Sequence, residues 1–328
     1  MKQVILALGL LLSSLTPAQA ADTYTQTRYP IVLVHGVMGW DSLLGLIEHM
    51  YRIPYELQRS GAKVYVPTVA FLNSNEYRAD QLVRYLSALE DYKFNLFAHS
   101  QGAPTSRWAA TVIPERIASI TSIHGVNKGS FFADTFVKAV PQGTVRGGVI
   151  DALGKTLGYL ATLLDAGNSD DLTCLTTGRC SQDSMAAAYT MTTDEMIRQN
   201  SLLGWQGLDP DGCGTGSEDL WIYGHRIKAF SWGGTDPTTT DFKWYDIFRP
   251  NMVLNEAEDA FLSLTASFSS RPSDGLTDIC SQKFGRVIRI DYPLNHFDAV
   301  NHIFGETGSI NVPSLYRAQA NRLRNMGL

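Results

Sequence analysis

The sequence predicts an α/β protein built on a mostly parallel central sheet with helices on both faces. Three observations carry this reading: strand-like and helix-like runs alternate along the chain, several strand-like runs are apolar without polar alternation, and one of them turns into a helix at a tightly framed serine. The strand candidates, in order, are YPIVLVHG (29–36), KVYVPTVA (63–70), KFNLFAHS (93–100), IASITSIHG (117–125), RIKAFSWGG (226–234) and RVIRIDYPLNH (286–296). Strands covered on both faces lose the alternation that a half-exposed sheet shows. Between the second and third, EYRADQLVRYLSALEDY (76–92) places Leu82, Leu86 and Leu89 on one helical stripe, which gives a β-α-β order.

Ahead of the first strand, MKQVILALGLLLSSLTPAQA carries Lys2, an apolar run from Val4 to Leu15, Pro17 and a small residue at Ala20. This pattern reads as a cleaved secretory signal over 1–20, too short in its apolar part to span a bilayer, with one domain over 21–328. The 328 residues are 44% hydrophobic and 18% charged, ordinary for a globular chain. Lys and Arg number 27 against 32 Asp and Glu, and the net charge of -5 with no basic run argues against a nucleic-acid partner. Four cysteines, Cys174, Cys180, Cys213 and Cys280, fit an oxidising destination, and the absence of C-x-x-C argues against zinc or redox work. Three pairings are possible; Cys174 with Cys180 would close a short loop and Cys213 with Cys280 a long one, worth roughly 2 and 4 kcal/mol by chain entropy.

The third strand runs into A-H-S-Q-G, residues 98–102, one residue away from the G-x-S-x-G nucleophile elbow. A sharp strand-to-helix turn crowds the serine against its neighbours, so small residues belong at 98 and 102. Ala98 departs from glycine by one methyl, and Gly102 keeps the other side open. Ser100 is therefore the candidate nucleophile. A serine hydroxyl needs an imidazole to take its proton and a carboxylate to fix the tautomer of that imidazole. Of the histidines after Ser100, His296 sits in a loop-like segment, PLNHFD, directly after the last strand; His302 is its rival. For the acid, Asp274 in RPSDG lies on a turn ahead of His296, whereas Asp259 falls in a helical run and Asp278 and Asp291 lie on or near strands. HGVMGW after the first strand would lend one oxyanion donor, the Val37 N–H, and the residue after the serine another, the Gln101 N–H.

YPIVLVHGVMGWDSLLG, FNLFAHSQGAPTSRW, IHGVNKGS, PSDGLTDICSQKFG, LNHFDAVNHIFG and SLYRAQANRLRNMGL occur in that order over most of the mature chain. Together they resemble the secreted triacylglycerol lipases of Gram-negative bacteria, the Pseudomonas/Burkholderia-type family I. The resemblance implies the α/β-hydrolase fold with Ser100, Asp274 and His296 as triad and Val37 and Gln101 as oxyanion donors. It implies a structural Ca2+ beside the histidine loop, held by Asp298, the backbone carbonyls of His302 and Glu306, and Glu256, where the family carries aspartate. The extra methylene of glutamate displaces that carboxylate. The resemblance pairs Cys213 with Cys280 and leaves Cys174 and Cys180 to close a small extra loop.

VRGGVIDALGKTLGYLATLLDAG (145–167) puts Val149, Leu153, Leu157, Leu160 and Leu164 on one stripe with almost no charge nearby. A buried core helix is the plain reading of such a stripe; the resemblance implies a mobile helical lid over about 140–167, with Gly147 and Gly148 as its hinge. It also implies a membrane-bound foldase as partner before secretion through the periplasm. The function expected from all this is ester hydrolysis of triacylglycerols at a lipid–water interface through an acyl-enzyme. The alternatives are a carboxylesterase acting on short soluble esters and a catalytically silent binding module of the same fold.

Overall fold

The computed structural model describes residues 22–37, Gly39, 42–43, 47–140, Thr144, Gly148, 181–239, 244–302 and 304–328. The signal segment, nearly all of the lid segment, and Cys174 and Cys180 lie outside the described residues. In chain order the elements begin with β1 (Ile31–Val34), a small antiparallel pair β2 (Ser42–Leu43) and β3 (Ile47–Glu48), α1 (Ile53–Gln58) and β4 (Val64–Tyr65). Then come α2 (Asn75–Ala88), β5 (Phe94–His99), α3 (Gly102–Val112), β6 (Ile117–Ile123), α4 (Phe131–Ala139), α5 (Ser184–Thr190) and α6 (Thr193–Leu202). The chain closes with β7 (Asp219–Ile222), β8 (His225–Gly234), α7 (Pro250–Ala266), β9 (Arg286–Tyr292) and α8 (Val312–Asn325).

The sheet runs β4-β1-β5-β6-β8, every pairing parallel, and β8 then pairs with β7 antiparallel and with β9 parallel. β1 reads as continuous apolar sequence because each face of the sheet has its own core. Ile31 and Leu33 pack on one side with Phe97, Trp232 and the inner face of α8, Val312, Tyr316, Ala320 and Leu323. Val32 and Val34 pack on the other with Leu96, Ala98 and Leu82 and Leu86 of α2. The two-residue period of a strand sends alternate side chains to opposite faces, so a strand covered on both needs apolar residues throughout.

The helices start where side chains can satisfy their free N–H groups. Ser74 caps α2 by accepting from Tyr77, Ser130 caps α4 from Ala133, and Asn311 caps α8 from Ser314. α2 begins one residue before the sequence stripe and ends at Ala88, because Leu89 turns to extended backbone. Register brings the C-terminal ends of three central strands together: Val34 lies beside Ala98, and Ala98 beside Ser122. The loops leaving these ends share one edge of the sheet, where parallel α/β proteins place their chemistry.

Candidate active site

The serine turn is built by close backbone approach. Ser100 follows the last residue of β5 with φ 54°, a left-handed conformation that costs a non-glycine residue, and α3 begins two residues later. A Cβ on Gly102 would stand 2.4 Å from the Val34 carbonyl oxygen, and one on Gly36 would stand 2.6 Å from Ser100 Cβ. Both positions exclude a side chain. Ala98, by contrast, has its methyl in the core beside Leu96 and Ala103, which is why that departure from glycine is accommodated.

The fold brings Ser100, His296 and Asp274 together. Ser100 Oγ lies 2.8 Å from His296 Nε2, and His296 Nδ1 lies 2.8 Å from Asp274 Oδ2. A carboxylate only accepts, so Nδ1 carries the proton and Nε2 presents a lone pair to the serine hydroxyl. Asp274 is fully buried, and its other oxygen accepts the backbone N–H groups of Leu276 (3.0 Å) and Thr277 (2.8 Å). Burial alone would push the Asp274 carboxyl up; the His296 imidazole and the hydrogen bonds from His124 and His296 outweigh it and hold the group well below the usual carboxylate range. His99, next to the serine, gives Nε2–H to the His296 carbonyl at 2.9 Å and so anchors the histidine loop. His302 stands elsewhere, with Nδ1 3.9 Å from Glu258 and its ring against His49.

Val37 follows β1 and lines the same cavity as Ser100, while Gln101 occupies the N-cap of α3, where helix N–H groups lack intrahelical acceptors. Sequence reading missed the group that holds this turn. Arg78 of α2 is fully buried and donates Nη2 to the carbonyls of His35 (2.5 Å) and Gly36 (3.1 Å) and Nη1 to that of Ala70 (2.6 Å). Burial lowers its pKa to about 9, so the guanidinium remains charged at neutral pH. Arg78 stands in helical phase with Leu82 and Leu86, on the core-facing stripe, but the sequence does not show which carbonyls a lone arginine there would meet.

Ser100 and His296 open onto a cavity of about 240 Å3 lined by apolar side chains, among them Val37, Val126, Phe132, Phe136, Met191 and Leu276. Two larger cavities, of about 550 and 420 Å3, hold no triad residue. The acid loop is tied down by a disulfide, Cys213–Cys280, with Cα atoms 4.7 Å apart.

The side chains of the calcium set expected from the sequence differ in their surroundings. Met252, Asn255, Asp259 and Leu262 form the buried side of α7, and Glu256 falls outside that phase and is exposed. The acid of α7 that shares a partner with Asp298 is Asp259: Asn295 gives its backbone N–H to Asp298 (2.8 Å) and its side-chain amide to Asp259 (2.8 Å). The Glu306 carbonyl accepts from Asn255 (3.4 Å), and Asp298 Oδ2 also accepts from Thr239 (2.7 Å). Among the described residues, the only group of three or more His, Cys, Asp or Glu whose ligating atoms lie within 4.8 Å is His124, Asp274 and His296. Of the two side chains in the expected calcium set, Asp298 is buried and Glu256 is the one that lies exposed.

Residues 29–161 match the sequence profile of the alpha/beta hydrolase fold. A triacylglycerol lipase of Vibrio cholerae serotype O1 is 35% identical, covering 99% of this chain and 98% of its own. Another from Pseudomonas fragi is 34% identical, covering 94% and 100%. Among solved structures, lipase 1 from Pelosinus fermentans aligns with a TM-score of 0.59 at 16% identity over 91% of this chain and 99% of its own, and Staphylococcus hyicus lipase with 0.57 at 14% identity over 91% and 96%. These last two bear on the fold alone. The chain has the α/β-hydrolase fold and belongs to the family of bacterial triacylglycerol lipases.

Proposed function

We propose that this protein hydrolyses the ester bonds of triacylglycerols, with Ser100 as nucleophile, His296 as proton carrier and Asp274 as its orienting acid. The observation that carries the reading is the unbroken Ser100–His296–Asp274 hydrogen-bond chain opening onto an apolar cavity. Ser100 Oγ attacks the ester carbonyl while its proton passes to His296 Nε2, and the developing oxyanion faces the N–H groups of Val37 and Gln101. His296 then protonates the departing alcohol, and a water molecule, deprotonated by the same nitrogen, releases the fatty acid. Asp274 stays ionised throughout and supports the imidazolium.

The remaining parts of the reading rest on the sequence. Residues 1–20 direct secretion, 21–328 act as one domain, the segment about 140–167 covers the cavity until a lipid surface displaces it, and a foldase assists before export. The decisive experiment is hydrolysis of emulsified triolein and of tributyrin below and above its solubility limit, by the mature protein and by Ser100→Ala. A rate that rises when droplets form, and falls at least about 10^4-fold in the variant, is expected. Cleavage of soluble ester only would make the protein a carboxylesterase, and an undiminished variant would remove Ser100 from the chemistry.

A further inference from the structure

Asp274 Oδ2, the oxygen that faces His296, has a second imidazole on it. His124 Nδ1 lies 2.9 Å away, as close as His296 Nδ1 at 2.8 Å, although the two residues are 150 positions apart in sequence. The carboxylate accepts from both, so His124 also carries its proton on Nδ1 and its Nε2 is left with a lone pair. That Nε2 is buried and has no hydrogen-bond partner among the described residues.

The chain tolerates two unfavourable features to put this ring there. His124 has φ 48°, in the left-handed region. Its orphan nitrogen forfeits solvation. Gly234 of β8 lies against the ring, where a Cβ would sit 2.8 Å from His124 Cε1, although the Leu294 carbonyl at 2.2 Å already excludes a side chain there. An aliphatic side chain would fill the same volume without the orphan nitrogen, so packing alone does not account for a histidine. Features that cost stability and converge on one side chain point to function.

The geometry points to His124 as a positioning residue for ester hydrolysis, a fixed donor on β6's outgoing end that holds Asp274 Oδ2 toward His296 while His296 exchanges partners; this rests on the hydrolase reading. The backbone of His124 is itself anchored to the sheet, its N–H donating to the Trp232 carbonyl at 3.0 Å. Oδ1 is held by the acid loop's own amides, so His124 is the tie between the reacting oxygen and the central sheet. Burial keeps His124 in its neutral form, with His99, His296 and Asp274 as its titratable neighbours, so it supplies a hydrogen bond without a competing positive charge.

Three variants and one spectrum test this. His124→Leu removes the donor and keeps volume, His124→Gly removes it while relaxing the backbone, and His124→Asn keeps an N–H near the same place and tolerates positive φ. On a soluble p-nitrophenyl ester, kcat is expected to fall about 10-fold in the leucine and glycine variants with KM unchanged, and to recover most of that in the asparagine variant. Equal losses in all three, or none in the first two, would overturn the proposal. Should the variants fail to fold, imidazole 15N NMR of the intact protein decides: His124 must show a protonated, slowly exchanging Nδ1 and a bare Nε2, and the opposite tautomer overturns it. Failure of the hydrolase reading would appear separately, as undiminished hydrolysis by Ser100→Ala.

Discussion

Lowering the pH from 6 to 5 should remove about 2–3 kcal/mol of folding stability, because the sheet edge beside the serine buries several imidazoles and burial disfavours their charged form. His35 Nε2 accepts the Val69 N–H at 3.2 Å, so Nδ1–H is turned to the Gly36 carbonyl at 2.8 Å; a proton on Nε2 would oppose the Val69 N–H. Burial first, and then the Arg78 charge, bring its pKa down to about 3. Burial, reinforced by neighbouring histidines, likewise holds His49 and His99 well below the ordinary range. Unfolded, each titrates near 6.5. Between that value and the depressed folded one the unfolded chain binds more protons, so the stability is fully present above about pH 6.5 and falls as pH falls, by about 1 kcal/mol per group between pH 6 and 5.

Asp298 acts in the opposite sense. Burial raises its carboxyl to about 7, so the folded protein holds a proton there that the unfolded chain has released, and this offsets one of the three imidazoles. Asp274, held low, contributes only when the pH drops below the usual carboxylate range. From those three imidazoles two net protons remain, which gives about 2–3 kcal/mol and a fall in Tm of about 5 °C for a domain of this size, and His124, also held down by burial, adds to the loss in the same direction. Calorimetric unfolding in buffers at pH 6 and 5, with a chelator present, measures it. A Tm that is flat or rising over this interval would refute the reasoning, since it would mean that these imidazoles are protonated in the folded state.

Gly102→Ala should destabilise by about 1–3 kcal/mol and lower kcat, because its methyl would have to push back the Val34 carbonyl from 2.4 Å and with it the strand end that carries Val37; an unchanged Tm with unchanged kcat would show that the turn has slack. Replacing Cys213 and Cys280 together by serine opens a loop of sequence separation 67 and should cost about 4 kcal/mol by chain entropy, read as a lower denaturant midpoint at constant slope. A loss under about 1 kcal/mol would mean that the unfolded chain gains little freedom from the cut.

Much of the scaffold was legible because burial on both faces leaves a plain signature. IVLV and IASITSI are strands whose every residue is buried, and the apolar continuity of IVLV follows from two cores meeting the same sheet. The serine turn was legible for a steric reason: left-handed backbone at Ser100 and close approach at Gly36 and Gly102 leave small residues at fixed offsets, and α3 must start at once. The order of serine, acid and histidine along the chain narrowed the triad to a few residues.

What the sequence by itself determined, then, is local: alternation, turn chemistry and the crowding around one serine all act over a few residues and are written in neighbouring positions. What only the tertiary structure decided depends on groups far apart in the chain. His296 and His302 differ by six positions and look alike in sequence, but the fold sets one on Ser100 and the other beside Glu258. Glu256 is one residue from Asn255, and a rotation of about 100° per residue along α7 puts it outside the buried side. Arg78 and His124 were invisible because their partners, the His35 and Gly36 carbonyls and the Asp274 carboxylate, reach them only when separate strands and loops converge at the same end of the sheet.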